Sequence, residues 1–440
     1  MYQDRPIILI SSDHCYGAVV TENFDFHVFL DTLADNEMNF TRIYPGATPA
    51  SWFAKPTIFP WFKTESGKYD LDRWNEKYFD RLKDFVNYAR QKGIIVDVCL
   101  FNGEGGNFYP ESLAVTPLNP NNNIQNEGSL DDYAYTSAFR CPALVEREEA
   151  YLRKIVTELI EYDNVIYDVC DEPNIGRPEL SVSEFTPWIE RMLNALLSVD
   201  QSHLVAETHA GTVCDGTNWR SDPRITWISL EYWMGIGYLD SDYGYNKPLA
   251  CIETACFPIH YEGDIISASR AEAWEFLVGG GAGFIQFSCD YSFNHYGFHF
   301  PINPGLVGTQ TLVTLAQKKI LKHFMEGFDF VKMRPISVQG IPPGAYGRSI
   351  AEDGQQYAFY IHHSKTLHMG AYQVIAGQYQ EKITFTDVNS GEYTAEWIDP
   401  ATGEVVRVNT FNHPGSNLTL ETPEYTVDIA LRMKNTSKCS

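Results

Sequence analysis

Basic residues are scarce in this 440-residue chain. Lys and Arg number 33 against 57 Asp and Glu, a formal net charge of −24 at pH 7. A polyanion binds through phosphate neutralisation, so this balance argues against nucleic acid as a partner. Long apolar runs are also lacking. The longest, such as Pro6 to Ile10, fall far short of the roughly 20 residues that a membrane helix needs, and no membrane partner is expected. There is no CxxC pair among the nine cysteines, and Cys251 and Cys256 have no His partners at ligand spacing. Neither a disulfide framework nor a zinc site follows, and no metal or organic cofactor is expected. The run Gly279 to Gly283 precedes a strand instead of following one, so it reads as a helix stop and not as a dinucleotide loop. No basic stretch or long apolar signal core precedes the first strand.

What is abundant points to a large packed core: 44% of the residues are hydrophobic and 14% aromatic. Up to about residue 327, short β-branched runs alternate with longer amphipathic stretches, the order of parallel strands joined by crossover helices. Eight strands are expected, near Ile7–Ser11, Phe40–Tyr44, Ile94–Phe101, Val165–Cys170, Leu204–Thr208, Thr226–Leu230, Leu249–Ile252 and Gly283–Ser288. Helices are expected over Leu71–Gln91, Pro142–Glu161, Ser183–Val199, Ser267–Val278 and Gln310–Phe324, with Glu146 to Glu149 on a largely solvated face. This is the count of a (β/α)8 TIM barrel, an α/β fold. The stretches Asn102–Arg140 and Glu231–Asn246 follow strands, where barrel loops build active sites. Beyond Gly327 helical periodicity ends. Alternating runs such as Tyr357–His362 and Tyr393–Ile398, with turns at Asp353-Gly354 and Asn389-Ser390-Gly391, predict a small all-β sandwich. The expected domains are therefore 1–327, the barrel, and 328–440, the sandwich.

Two carboxylates close apolar strands. Strand four runs Tyr167-Asp168-Val169-Cys170-Asp171-Glu172-Pro173-Asn174, and strand seven runs Leu249-Ala250-Cys251-Ile252-Glu253-Thr254. Glycosidic bonds are cleaved by such pairs, one carboxyl protonating the leaving oxygen and the other attacking or activating water.

On these motifs residues 5–327 resemble the clan of retaining (β/α)8 glycoside hydrolases that includes cellulases and β-mannanases. The resemblance implies a β-linked oligosaccharide, polysaccharide or glycoside as substrate, with Glu172 as acid/base and Glu253 as nucleophile; the alternatives are a carbohydrate-binding barrel without catalysis and a transglycosylase using the same two residues. It also implies Arg42, in Asn39-Phe40-Thr41-Arg42, as a support of the nucleophile and Tyr232 as its hydrogen-bond donor. Two positions depart from the clan. Asp171 stands where an Asn usually donates to the sugar 2-hydroxyl, and an ionised Asp only accepts. Glu231 stands where many relatives carry His, adding a third carboxylate that disfavours a uronate and leaves Arg42 an acid to pair with. Repulsion from Glu253 together with burial is expected to raise the Glu172 pKa, as a general acid requires.

Further strand-end candidates are Asp13 and His14, Asn102 and Glu104, His209, and Asp290 with Tyr291; Trp52, Phe108, Trp233 and Tyr238 are candidate stacking platforms. His295 and His299, in a Phe- and Tyr-rich loop without HExxH context, read as structural or sugar-contacting. Trp397-Ile398-Asp399-Pro400 with Gly403 resembles the small sandwich labelled a collagen-binding domain behind several such barrels. A polysaccharide substrate favours a secreted or periplasmic enzyme whose leader is absent here; unpaired strand cysteines allow the cytoplasm.

Overall fold

The computed structural model describes residues 2–12, 14, 15, 18–46, 57–102, 114–128, 141–172, 182–209, 219–232, 236, 237, 239–255, 257, 260–287 and 308–437. Up to residue 285 the strands are β1 Leu9–Ser11, β2 His14–Cys15, β3 Phe40–Ile43, β4 Trp61–Lys63, β5 Tyr69–Trp74, β6 Ile95–Cys99, β7 Val165–Asp168, β8 Leu204–His209, β9 Trp227–Glu231, β10 Leu249–Glu253 and β11 Gly283–Ile285. Among the described residues the helices longer than one turn are α1 Phe26–Asp35, α2 Glu76–Gln91, α3 Pro142–Leu159, α4 Val182–Leu197, α5 Ile265–Val278 and α6 Gly308–Glu326. The sheet order is β1-β11-β10-β9-β8-β7-β6-β3-β2. The first barrel strand is in two pieces: β1 pairs in parallel with β11, and β2 in parallel with β3. Eight parallel strands in this order are a (β/α)8 barrel, followed by an all-β region.

The chain forms two compact units, Asp13–Glu231 with Ser288–Gly308, and Met1–Ser12 with Tyr232–Phe287 and Thr309–Ser440. In the first unit, β2, β3 and β6 to β9 lie side by side, with Arg42 in register with Asp97, and Cys99 with Asp168. The first helix, α1, is capped by Asp25, whose carboxylate accepts from the His27 and Val28 amides. The helix predicted from Leu71 begins only at Glu76. Leu71 to Trp74 instead belong to β5, whose Trp74 pairs with Trp61 of β4, so the apolar spacing there is that of a hairpin. On α3 the expected solvated face is also corrected. Glu148 is fully buried and accepts from Trp188 Nε1 at 2.9 Å, because α4 packs over that side.

In the second unit the all-β region carries β12 Arg334–Pro335, β13 Val338–Gln339, β14 Ala345–Glu352, β15 Gln356–Thr366, β16 Tyr372–Val374, β17 Lys382–Val388, β18 Gly391–Ile398, β19 Val405–His413, β20 Ser416–Glu421 and β21 Asp428–Asn435. One sheet runs β12-β14-β15-β21-β18-β19 with β16 added at β15; the other runs β13-β17-β20. Tyr357, Phe359 and Ile361 of β15 enter the core between the sheets, together with Phe385, Tyr393 and Trp397. By the two-residue period of a strand, Tyr360 and His362 point the other way, toward α5. There Tyr360 stacks on Trp274 at 5.3 Å, and His362 Nε2 meets Glu275 Oε2 at 2.9 Å.

Every residue of α5 from Ser267 to Val278 is buried, including Arg270, Glu272 and Glu275. Each charge finds its partners close by. Arg270 donates to both oxygens of Asp428 at 2.8 and 2.9 Å. Glu272 accepts from Tyr261 Oη at 2.5 Å and the Tyr372 amide at 3.2 Å. Glu275 accepts from Tyr372 Oη at 2.8 Å and Arg348 Nε at 3.2 Å.

Candidate active site

A fully buried guanidinium organises the Asp13–Glu231 unit. Barrel interiors are usually filled by branched apolar side chains, but here β3 places Arg42 among acids from three other strands. Its Nη2 donates to Asp168 Oδ2 at 2.8 Å and to Thr208 Oγ1 at 3.1 Å. Nη1 donates to Asp171 Oδ1 at 2.9 Å, Tyr44 Oη at 2.9 Å and Glu231 Oε1 at 3.3 Å. Nε lies 3.5 Å from Asp97 Oδ2.

One guanidinium amid four carboxyl groups is an acid-rich balance. Burial works against the charge of Arg42, but the fields of Asp171, Tyr44, Cys99 and Asp168 outweigh it and hold the guanidinium protonated. Burial drives the Asp97 carboxyl well above the usual range; Arg42 opposes this, while Asp168 and Asp171 add repulsion. Burial likewise keeps the Cys99 thiol protonated.

Past β7 the chain still follows its neighbours, with the Asp171 amide donating to Phe101 O at 2.9 Å. Asp171 also accepts from Asn102 Nδ2 at 3.4 Å. Glu172 comes next, 2% exposed, with φ of +44°. A non-glycine residue in the left-handed region costs on the order of 1–3 kcal/mol and persists where the surroundings enforce it, typically at functional sites.

In the other unit β10 ends on Glu253, 4% exposed. Tyr232 grips this residue twice: its hydroxyl donates to Glu253 Oε1 at 3.0 Å, and its amide donates to Glu253 O at 2.7 Å. Tyr232, directly after β9, is left-handed like Glu172, with φ of +51°. The donated hydrogen bond favours the ionised form of Glu253.

Of the predicted residues, Arg42, Asn102, Asp171 and Glu231 come together in one cluster, and Tyr232 meets Glu253. Asp13, Glu104, Asp290 and Tyr291 lie outside the described residues, as do Trp52, Phe108, Trp233, Tyr238, His295 and His299. His14 and His209 are described in backbone only, in β2 and β8. Sequence reading passed over Asp97, Asp168, Thr208 and Tyr44. A signal was present: Ile95-Val96-Asp97-Val98-Cys99 and Val165-Ile166-Tyr167-Asp168 each carry one acid in an otherwise apolar buried strand, which requires a partner.

Residues 10–229, half of the chain, match the family model described as Cellulase (glycosyl hydrolase family 5). The chain belongs to this family. Membership makes it a glycoside hydrolase and carbohydrate its substrate class. No curated protein matches it in sequence. Among solved structures, a glycoside hydrolase is similar with a TM-score of 0.68 at 11% identity, over 98% of this chain and 94% of that one. A glycoside hydrolase family 5 structure from Bacteroides vulgatus has a TM-score of 0.66 at 12% identity, over 99% and 91%. The endo-beta-1,4-mannanase from Thermotoga petrophila has a TM-score of 0.52 at 12% identity, over 96% and 99%. At these identities the likeness is one of fold. None of these names speaks to collagen binding by the all-β region of the family 5 chain.

Proposed function

We propose that this family 5 glycoside hydrolase cleaves a β-linked glycoside with net retention, with Glu253 as nucleophile and Glu172 as acid/base. The observation that carries the reading is the Tyr232 hydroxyl on Glu253 Oε1 at 3.0 Å, at the carboxyl end of the seventh barrel strand. A carboxylate so held is aimed, and the donated hydrogen bond favours its ionised form. Glu172 lies four residues past β7, the fourth barrel strand, buried and in a left-handed backbone. Glu253 attacks the anomeric carbon while Glu172 gives its proton to the leaving oxygen; the glycosyl ester forms and the glycosidic bond breaks. Ester formation removes the Glu253 charge, so the Glu172 carboxylate then takes a proton from water, which releases the sugar.

Asp171 receives hydrogen bonds from Arg42 and Asn102, and its remaining capacity is for a donor such as a sugar hydroxyl. With four carboxyl groups against one Arg, the site suits a neutral or cationic sugar over a uronate. Residues 1–327 form the catalytic barrel in this reading, and 328–440 form a packing domain.

The test is a panel of p-nitrophenyl β-glycosides against wild type, Glu172→Gln and Glu253→Gln, with proton NMR of the first-formed anomer. Retention in the wild type is expected, with Glu253→Gln lowering kcat at least about 10³-fold. An inverted first product would overturn the nucleophile assignment.

A further inference from the structure

We propose that the turn Leu367–Ala371 of the C-terminal β region is a positioning element for the reaction, with Met369 holding Tyr232 in place on Glu253. This rests on the reading of Glu253 as nucleophile. The turn leaves β15 and leads into β16; the Leu367 amide donates to Ala371 O at 2.7 Å, and the Gly370 amide to Leu367 O at 3.3 Å. It is tied down from behind, because Tyr372 donates to Glu272 through its amide and to Glu275 through its hydroxyl.

Met369 packs on the apolar cluster that contains Ala255 and Phe257, the residues two and four past Glu253. Met369 and Gly370 also line, with Tyr232, Ile236 and Thr254, a cavity of only about 10 Å³. That is room for at most one water molecule, so Tyr232 and Met369 border the same small gap. The backbone gives the same indication. Tyr232 at φ +51° needs surroundings that enforce its conformation, and an unbranched thioether fills an irregular gap of this kind well. Met369 is itself left-handed, at φ +58°. A methionine in that conformation is tolerated where its side chain is needed.

Met369→Gly removes the side chain while relieving the backbone, so the full-length variant keeps its fold. The substrate is whichever p-nitrophenyl β-glycoside of the panel the wild type turns over fastest. Met369→Gly is expected to lower kcat about tenfold, the scale of one hydrogen bond to a charged group, with KM within about twofold. The acid limb of its pH profile should move up, as it does when Tyr232→Phe removes the donor that favours ionised Glu253. Tyr232→Phe/Met369→Gly should be no slower than Tyr232→Phe alone, and Met369→Leu should restore most of the activity. A wild-type kcat in Met369→Gly, or a loss repeated in full on the Tyr232→Phe background, overturns the proposal. Glu253→Gln separates the two claims. If it is inert while Met369→Gly is wild type, only the turn's role fails; if Glu253→Gln stays active, the nucleophile reading fails and the proposal with it.

Discussion

Two buried clusters of ionisable groups among the described residues are built differently. Around Arg42 one guanidinium faces Asp97, Asp168, Asp171 and Glu231, an excess of acid in which burial and repulsion push the Asp97 pKa up. Around α5 the account balances. Arg270 has Asp428, Glu275 has His362, Tyr372 and Arg348, and Glu272 stays a neutral acid, pushed up to about 8 by burial against the hydrogen bonds of Tyr261 and Tyr372. Buried Lys318 is drawn down to about 7 by burial, with Glu272 opposing. A balanced buried network makes a joint and little else. An acid-rich one keeps polar capacity unspent, which is what chemistry on a hydroxylated substrate requires.

Removing the cation from each cluster should separate them most strongly. Arg42→Met strands its acids in the interior, so we expect a loss of about 3–5 kcal/mol in urea unfolding and little turnover in whatever folds. Arg270→Met should also destabilise, by about 3 kcal/mol, but should leave kcat/KM per folded molecule unchanged. Equal activity losses in the two variants would erase the distinction.

A smaller contrast lies in pH dependence. Burial raises the Glu275 pKa, but hydrogen bonds from His362 and Tyr372 and the charge of Arg348 hold it below the ordinary 4.5. Its contribution is therefore present above that value and lost as pH falls through the lowered pKa. Glu275→Gln should be less stable than wild type at pH 7, with the gap closing toward pH 3 in thermal melts.

The smallest effect belongs to a lone buried acid, Glu148, raised by burial to about 8 against the Trp188 hydrogen bond. Its folded pKa exceeds the ordinary 4.5, so its stabilising effect is complete below 4.5 and is lost as pH rises through 8. Glu148→Gln should match wild type at pH 4 and surpass it in melting temperature at pH 8. A variant less stable at pH 8 would mean that Glu148 is ionised and paired.

The barrel was legible because its strands are short apolar runs and most of the helices between them are amphipathic; the helix α1, Phe26–Asp35, was not anticipated. Glu172 and Glu253 stand out in the sequence because each acid follows an apolar strand; their roles remain the proposal made above. The hairpin β4–β5 was not legible, since Leu71 and Trp74 fit a helical spacing as well as a strand, and only pairing with Trp61 decides between them. The roles of Asp97 and Asp168 depend on the strand register that sets them beside Arg42, and register is a tertiary property. Glu148 was misread for the same reason: its surroundings come from Trp188, 40 residues further along. The charges of α5 could not be assigned from a local window, because Asp428 and His362 come from strands far along the chain.

Azide rescue of two alanine variants tests the central claim most directly, because it assigns both roles by product stereochemistry. With an activated β-glycoside and sodium azide, Glu253→Ala should yield the α-glycosyl azide, the anion entering on the face that the nucleophile has vacated. Glu172→Ala should yield the β-glycosyl azide by way of the ester on Glu253. The reverse pairing, or rescue of neither variant while the wild type turns over the same glycoside, would contradict the account.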